Sequence, residues 1–267
     1  MMNEFEDGNR KLWDELTEVH IHSYGVDKFL AGQTTLDEIQ LREIGDLKGK
    51  TLLHLQCHFG LDTLSLAREG AIVTGVDFSE KAIDNARKLS DETGIRARFI
   101  ESNIYDLKDH LSEKFDIVYT TMGVLCWLKD IPEWARIICH FLKPGGILYL
   151  MESHPIINIF DDTKPGPLDI TIDYFHKDEP IMWDDHHPDY SDPTHLQENP
   201  SYEWRWTISD ILNSLISAGM TIEFFNEYDK VFSKFFPDME QDQDGWWVLP
   251  NLRGKLPLMF SLRARKI

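Results

Sequence analysis

Two short segments carry the side chains that could do chemistry, and each one ends a run of apolar residues. Residues 54–60 read HLQCHFG, and residues 76–78 read VDF. An aspartate at the end of a strand can accept hydrogen bonds from both hydroxyls of a ribose, and the Phe78 ring beside it can lie against an adenine. Asp77 therefore predicts an adenosine site. The alternative is that Asp77 only caps the helix that follows, a role that Ser79 can already fill.

The glycine content of the first segment separates the adenosine cofactors from one another. A dinucleotide needs glycines that let the backbone close on its pyrophosphate. Gln56 and His58 break the G-x-G-x-x-G pattern, and no G-x-x-x-x-G-K-[ST] loop occurs. Phosphate-bearing cofactors are therefore disfavoured, and the uncharged linkage of S-adenosylmethionine fits better.

Alternating strand and helix patterns between residues 50 and 151 position these segments. Runs rich in Val, Ile and Leu predict five strands, and the stretches between them predict helices. Ser79 and Gly94 bracket one helix, and Pro132 lies near the first turn of another. Residues 143–146 (KPGG) are expected to break the chain before the fifth strand. This alternation predicts βαβ crossovers and a buried parallel sheet, with the ligand beyond the carboxyl ends of its strands.

The flanking regions differ from this core. Residues 10–45 are rich in helix, and a helix starting near Thr207 precedes two final strands. Residues 152–205 hold seven of the 12 prolines and 13 acidic residues against three basic ones, with aromatic residues throughout. So long an irregular stretch is usually functional, and we expect a substrate-binding lid; the alternative is a solvated linker.

Composition excludes several classes of protein. The 267 residues allow one large domain or two small ones, and 27 basic against 46 acidic residues give a net charge of −19. Such a chain repels a phosphate backbone, which disfavours nucleic acid as a partner. No apolar run of membrane-spanning length occurs, the first residues are charged where a signal peptide would be apolar, and the three cysteines suggest reduced thiols. We therefore expect a cytoplasmic protein with no membrane partner.

Taken in order, the segments resemble the class I, seven-strand S-adenosylmethionine-dependent methyltransferases. The matching runs are LLHLQCHFG, TGVDFSEKAIDNAR, FIESNIYDL, FDIVYTTMGVLCWL and LKPGGILYLME. The resemblance implies a doubly wound, Rossmann-like α/β sheet in the order 3-2-1-4-5-7-6 with the last strand antiparallel. The chain then divides into an N-terminal helical cap over the cofactor (1–49), a cofactor-binding core (50–151), the lid (152–205) and a closing portion of the same domain (206–267).

The resemblance also implies roles for single positions. Gly60 falls on the last glycine of the family's first motif, Asp77 on its ribose-binding acid and Phe78 on the residue beside adenine. Asn103 stands where an Asp or Asn meets the adenine amino group. The other cofactor contacts implied are Gln56, Cys57, Ile104, Thr120 and Thr121.

The first motif departs from the family pattern at three positions. His54 replaces an acidic residue, and Gln56 and His58 replace glycines, which narrows the space for the cofactor. Either the loop is displaced and Gln56 contributes a hydrogen bond, or binding has been lost. We expect the first, because Gly60 and Asp77 are intact. His54 is expected to be a core histidine hydrogen-bonded to the backbone.

Methyl transfer is an in-line displacement that needs chiefly positioning and the exclusion of water, and it needs a base only when the nucleophile holds its proton tightly. Glu152 and His154, just past strand five, are the candidate bases; alternatively, this segment only shapes the turn. Tyr24, Trp183 and Tyr190 are the candidates for facing the acceptor.

Two histidine clusters have an ambiguous reading. His20 and His22 lie in the N-terminal segment that often covers the cofactor in this family, but they could equally be surface residues of a helix. The run at residues 184–187 (DDHH) invites a metal site, yet adjacent ligands on one loop rarely converge on one ion, so no metal is predicted. Its acidity suits a neutral or cationic small molecule better.

The predicted function is therefore S-adenosylmethionine-dependent methyl transfer to an O, N or S nucleophile of a small molecule. The alternative is a non-catalytic protein that binds S-adenosylmethionine or S-adenosylhomocysteine. A nicotinamide-dependent oxidoreductase is less favoured, because the glycines are missing.

Overall fold

In the computed structural model, which describes residues 2–184, 186 and 188–267, eleven strands are present. In chain order they are β1 (Thr51–Leu55), β2 (Ile72–Asp77), β3 (Arg98–Glu101), β4 (Phe115–Thr121), β5 (Leu142–Ser153), β6 (Ile181–Trp183), β7 (Ser201–Glu203), β8 (Met220–Tyr228), β9 (Glu240–Gln241), β10 (Trp247–Val248) and β11 (Met259–Lys266). Seven of them form one sheet in the order β3-β2-β1-β4-β5-β11-β8, while β6 pairs with β7 and β9 with β10. Strands β1 to β5 are parallel, and β11 is antiparallel to both its neighbours. The predicted fold class is confirmed.

Seven helices of the described chain surround this sheet and extend over its edge. They are α1 (Glu4–Ser23), α2 (Val26–Leu30), α3 (Glu38–Ile44), α4 (Leu61–Arg68), α5 (Glu80–Thr93), α6 (Ile131–Phe141) and α7 (Ile208–Ser217). Short 3-10 helices span Ile104–Asp109, Leu125–Trp127, Pro155–Ile159 and Pro250–Leu252. The hydroxyl of Ser79 caps α5 by accepting the Ala82 N–H at 3.0 Å, and Gly94 ends that helix in the left-handed conformation, as the sequence predicts. None of the helices described combines the length and hydropathy that crossing a bilayer requires.

The central strands are buried on both faces, which explains why they read as continuous apolar runs. Leu52 and Leu53 of β1, and Val118 and Tyr119 of β4, have no exposed surface. Helices cover both faces of a parallel sheet, so neighbouring residues of one strand enter different halves of the core. Leu53 and Val118 pack with α6, while Leu52 and Tyr119 pack with the side of the sheet that holds α3.

The expected break before the fifth strand is wrong. Strand β5 already begins at Leu142, and residues 143–146 lie within it. The register against β4 shifts between Phe115 and Ile117, so the extra residues form a bulge. A Cβ on Gly146 would lie 3.0 Å from the Asp116 carbonyl oxygen, so this close approach of two strands favours glycine.

Two irregular regions stand at the carboxyl edge of the sheet. Residues 152–205, for which we keep the name lid, leave β5, form the β6–β7 ribbon and return to α7. Residues 229–258 connect β8 to β11 at the same edge and bury Val231, Phe236 and Met239 against β5 and the start of β11. The sequence gives no warning of this second region, which adds a further wall beside the lid.

Candidate cofactor and acceptor site

The loop after β1 keeps the backbone shape of a glycine motif although two of its residues are not glycine. Gln56 and His58 have φ angles of 56° and 50°, and Gly60 has 81°. A left-handed φ is uncommon outside glycine, so such residues usually mark a functional constraint. At Gly60 a Cβ would lie 2.8 Å from the Phe99 ring, so only glycine fits there.

This loop and the neighbouring end of β4 hold buried polar atoms that have no hydrogen-bond partner in the described chain. The Gln56 amide donates to the Val124 carbonyl at 3.0 Å, which leaves its Oε1 unpaired. His58 Nδ1 and Thr120 Oγ1 are also buried and unpaired. Buried polar atoms in proteins almost always find a partner, so a cluster of exceptions at the strand ends suits a ligand rich in polar groups. The residues present therefore fit S-adenosylmethionine.

Asp77 lies at the end of β2 and holds the adjoining loops. Its Oδ2 accepts the His58 backbone N–H at 2.8 Å, and its Oδ1 accepts the Ser79 N–H at 3.0 Å. A carboxylate can accept about four hydrogen bonds, so capacity for a ribose hydroxyl remains. Burial raises the pKa of Asp77 to about 6, even though the backbone donors favour the ionised form. The loop-holding role is structural fact, and the ribose role stays a prediction.

The remaining predicted cofactor residues surround this point. Asn103 donates from Nδ2 to Glu6 of α1 at 3.0 Å and accepts the Tyr105 N–H at 2.9 Å. Cys57 and Ile104 are buried and Phe78 is half-buried. Thr121 is buried and its hydroxyl lies near Asp62 and Tyr119. The sequence did not single out Glu6, which also pairs with Lys129 at 2.5 Å.

Glu152, a predicted base, has both carboxylate oxygens occupied. Oε1 accepts the backbone N–H groups of Gly123 at 2.7 Å and Ser153 at 2.8 Å, and Oε2 accepts those of Val124 at 2.7 Å and Leu125 at 3.2 Å. Burial raises its pKa against the effect of these donors. The geometry favours an anchor for the loop after β4 over a proton acceptor.

His154, the second predicted base, is also engaged at both ring nitrogens. Its Nδ1 accepts the Ile156 N–H at 3.2 Å, and its Nε2 lies 3.2 Å from the Glu227 carboxylate. An Nδ1 that accepts a backbone N–H is the unprotonated one, so Nε2 carries the proton toward Glu227. This arrangement favours the alternative reading, in which His154 shapes the turn after β5.

His54 is the buried core histidine that the sequence predicts, but its partner is a side chain. Its Nδ1 lies 2.8 Å from the Thr63 hydroxyl of α4, where a backbone partner was expected. Burial lowers the pKa of His54 to about 3. His54 therefore stays neutral and links β1 to α4.

Helix α1 brings a second histidine into contact with the β1 loop. His20 Nδ1 lies 2.9 Å from His58 Nε2, and His20 Nε2 lies 3.1 Å from Asp189 Oδ2 of the lid. The side chains of His20 and Asp189 have no exposed surface, whereas His22 is exposed. We call Asp189, His20 and His58 the relay. The sequence singled out each histidine separately but not their contact, and it gave no role to Asp189.

Two of the three predicted acceptor-side residues gather around the relay. Tyr24 stacks on His20 with ring centroids 4.6 Å apart, and its hydroxyl contacts that of Tyr190. Tyr190 is 57% exposed. Trp183 lies elsewhere, in the β6–β7 ribbon, where it lines a pocket of about 210 Å³ with lid residues 197–200.

The lid covers α1 rather than the bare strand ends. The Glu15 carboxylate accepts the Glu198 backbone N–H at 2.9 Å and both the backbone N–H and the side-chain amide of Asn199. It also lies 2.8 Å from His195 Nε2. Asn9 and the Tyr202 backbone exchange two hydrogen bonds of 2.7 and 2.8 Å. The site is thus layered, with the sheet edge inside, α1 above it and the lid outermost.

Metal binding finds no support in the part of the chain that is described, where no three His, Cys, Asp or Glu side chains gather around a possible ion. Asp185 and His187 of the DDHH run lie outside the described residues.

Comparison with known proteins identifies the central part of the chain. Residues 52–146 match the family model of a methyltransferase domain. A ubiquinone biosynthesis O-methyltransferase of Shewanella sp. (strain ANA-3) is 30% identical over 142 residues, 53% of this chain and 58% of that protein. One from Actinobacillus pleuropneumoniae serotype 5b (strain L20) is 35% identical over 121 residues, 43% of this chain and 50% of that protein. The chain thus spans about half the length of the curated relatives it matches.

Solved structures show the same fold. A putative S-adenosylmethionine-dependent methyltransferase from Listeria monocytogenes aligns with a TM-score of 0.60 and 16% identity, over 84% of this chain and 93% of that one. A methyltransferase from Mesorhizobium loti aligns with 0.59 and 21% identity, over 89% and 100%.

The central part of this Rossmann-like fold, residues 52–146, is a methyltransferase domain. Solved structures described as S-adenosylmethionine-dependent methyltransferases share the fold of the chain. The predictions of family, fold class, enzyme class and S-adenosylmethionine as cofactor are confirmed at the level of this domain.

Proposed function

We propose that the protein transfers a methyl group from S-adenosylmethionine to an oxygen atom of a hydroxylated small molecule. The observation that carries the proposal is the loop after β1, where a glycine-like backbone presents the unpaired acceptor Gln56 Oε1 within a methyltransferase domain. The relatives named as O-methyltransferases support oxygen as the acceptor atom. The acidic lid favours an acceptor that is neutral or cationic.

When bound, S-adenosylmethionine supplies a methyl group that its sulfonium already activates. The chain's residues then bind and orient. Asp77 would accept hydrogen bonds from the ribose, Asn103 would face the adenine amino group, and Gln56 and Thr120 would contact the polar groups nearer the reacting carbon. These roles rest on the family positions of the residues and, for Gln56 and Thr120, also on their unpaired atoms.

The cap (residues 1–49) and the lid exclude water from the transfer. Support comes from the layered contacts, in which α1 meets both the strand ends and the lid. Exclusion of water strengthens every polar contact inside the site and protects the methyl group from hydrolysis.

Calorimetric titration and a turnover assay test the proposal together. S-adenosylmethionine and S-adenosylhomocysteine should bind, and NAD⁺ should not. Release of S-adenosylhomocysteine should then be followed with matched hydroxyl, amine and thiol acceptors on the same ring scaffolds, and we expect turnover with the hydroxyl series. Binding without turnover across the panel would favour the non-catalytic alternative, and turnover with amines or thiols alone would contradict the choice of oxygen.

A further inference from the structure

We propose that His58 is the general base of the methyl transfer, and that His20 and Asp189 are positioning residues which keep its Nδ1 free of a proton. The proposal rests on the proposed transfer to a hydroxyl oxygen, since such a nucleophile gains most from a base. It assigns a use to a relay in which the cap, the cofactor loop and the lid meet at 2.9 and 3.1 Å.

The hydrogen-bond roles along the relay follow from its carboxylate end. Burial raises the pKa of Asp189, but hydrogen bonds from His20 and Ser191 outweigh it and bring the pKa to about 2. An ionised Asp189 only accepts, so His20 Nε2 carries a proton. In the proposed relay His20 carries only this one proton, so its bare Nδ1 accepts from Nε2–H of His58. A neutral His58 is left with its lone pair on Nδ1, the nitrogen that has no partner in the described chain.

The other candidate bases have no lone pair to offer. The Glu152 carboxylate accepts four backbone N–H groups, and His154 Nδ1 accepts the Ile156 N–H. His54 Nδ1 is paired with Thr63 in the core. Of these groups, His58 alone combines a place at the carboxyl end of β1 with an unpaired nitrogen.

The step balances without a further reactant. The acceptor oxygen forms a bond to the methyl carbon while the carbon–sulfur bond breaks, and the sulfur keeps that electron pair. The acceptor O–H proton moves to His58 Nδ1, and its bonding pair stays on the oxygen. His58 becomes a cation, which the Asp189 carboxylate offsets through His20. The proton leaves to water after the methylated product is released. In hydrolytic triads a carboxylate orients the histidine that acts as the base; here a second imidazole, His20, stands between the carboxylate and the base.

Several titratable groups face the His58 ring or its backbone. They are His20 and Tyr24 from α1 and Asp77 from β2, while Asp189 and Tyr190 from the lid contact His20 behind them. Burial lowers the pKa of His58, the neighbouring His20 lowers it further, and Asp189 raises it. His58 is therefore neutral, and competent to accept a proton, at pH 7.

The test uses His58→Gly in the full chain, because glycine suits the left-handed backbone at this position. We expect methyl transfer to fall by about 10²- to 10⁴-fold, the usual contribution of a general base, with cofactor affinity changed by only a few-fold. Free imidazole should restore part of the rate. Unchanged turnover, or a loss that matches a loss of cofactor affinity and resists imidazole, would overturn the proposal.

The roles of His20 and Asp189 as positioning residues are tested by kcat, KM and the pH dependence of the rate, because a loss of packing alone would not shift the pH dependence. Asp189→Asn should lower kcat with little change in KM, and should move the acid limb of the rate profile to lower pH because a group that raises the His58 pKa is lost. Asp173→Asn, at an exposed lid position, and His22→Gln, on the exposed face of α1, are the matched controls and should leave the profile unchanged.

Nitrogen NMR of the histidine rings separates this proposal from the proposed function. At pH 7 in the wild-type protein, His58 should show a bare Nδ1 and a protonated Nε2, whether or not an acceptor has been found. A protonated Nδ1 on His58 would refute the base. If no acceptor in the panel turns over, the proposed function fails while the tautomer measurement still decides the relay.

Discussion

The carboxyl ends of β1 and β5 lie at the same edge of the sheet, but their polar side chains differ in whether they have hydrogen-bond partners. After β5, Glu152 accepts N–H groups from the loop at 123–125, and His154 is bonded at both nitrogens. After β1, Gln56 and His58 each leave a buried acceptor unpaired. One strand end therefore stabilises the fold, and the other is available to a ligand.

The difference has an energetic meaning. A buried polar group without a partner costs about 1 to 3 kcal/mol, which a ligand that supplies the hydrogen bond can recover. Proteins keep such costs mainly at functional sites. Glu152 and His154, the two candidate bases predicted from the sequence, lie after β5, where the polar groups are hydrogen-bonded. Residue type alone is therefore a poor guide to which group reacts.

The largest effect on stability should come from removing the hydrogen bonds that Glu152 accepts at the end of β5. Glu152→Ala should lower the free energy of unfolding by about 3 to 5 kcal/mol, because the N–H groups of Gly123, Val124 and Leu125 lose their acceptor while buried. Urea denaturation followed by circular dichroism measures it. Glu101→Gln, at the exposed end of β3, is the control and should change stability by less than about 0.5 kcal/mol. A Glu152 variant as stable as this control would remove the distinction between the strand ends.

The next effect concerns ligand binding at the open end. Asp77→Asn should weaken the binding of S-adenosylhomocysteine by about 1.5 to 3 kcal/mol, roughly 10- to 150-fold, because a charge-assisted hydrogen bond to the ribose is lost. Isothermal titration calorimetry measures the affinity. Asp84→Asn on the exposed side of α5 is the matched control. Equal affinity in the two variants would leave Asp77 only its contacts with His58 and Ser79.

The sequence predicts the core of this molecule well for a physical reason. Strands buried on both faces must be apolar, so β1, β2, β4 and β5 and the helices between them can be recognised from local pattern, and the family fixes their order. Residues 229–258 escape such a reading because β9 and β10 have only two residues each. The relay escapes it because His20 and His58 are 38 positions apart, and His20 and Asp189 are 169 apart.

A smaller effect follows from the pKa of Asp77. Burial raises this pKa to about 6, and the ribose hydroxyls should prefer the ionised form. Cofactor affinity is therefore complete above pH 6 and falls as the pH drops through it, approaching about tenfold per pH unit below. Calorimetric titrations between pH 5 and 8 on wild type and Asp77→Asn measure this. The variant, which has no titrating carboxyl at this position, should lose most of the dependence; the same slope in both proteins would assign the pH effect to another group.

The smallest effect should be confined to the outer layer of the site. Glu15→Gln replaces a carboxylate, only 14% exposed, that accepts from the lid at 195–199. In the variant an NH2 group replaces one carboxylate oxygen and faces the N–H donors of the lid, so a hydrogen bond is lost. The free energy of opening this part of the lid should fall by about 1 to 2 kcal/mol, and hydrogen exchange of amides 195–204 should accelerate about 5- to 30-fold. Hydrogen-exchange mass spectrometry measures it, with Glu18→Gln, at an exposed position of the same helix, as the control. Amides 56–60 should keep their rates, because Asp77 and Gln56 hold that loop from the sheet side. If amides 56–60 accelerate together with those of the lid, the loop after β1 depends on the cap and the lid for its shape. The difference between paired polar groups after β5 and unpaired ones after β1 would then come from the cap and lid packed over the site and not from the sheet.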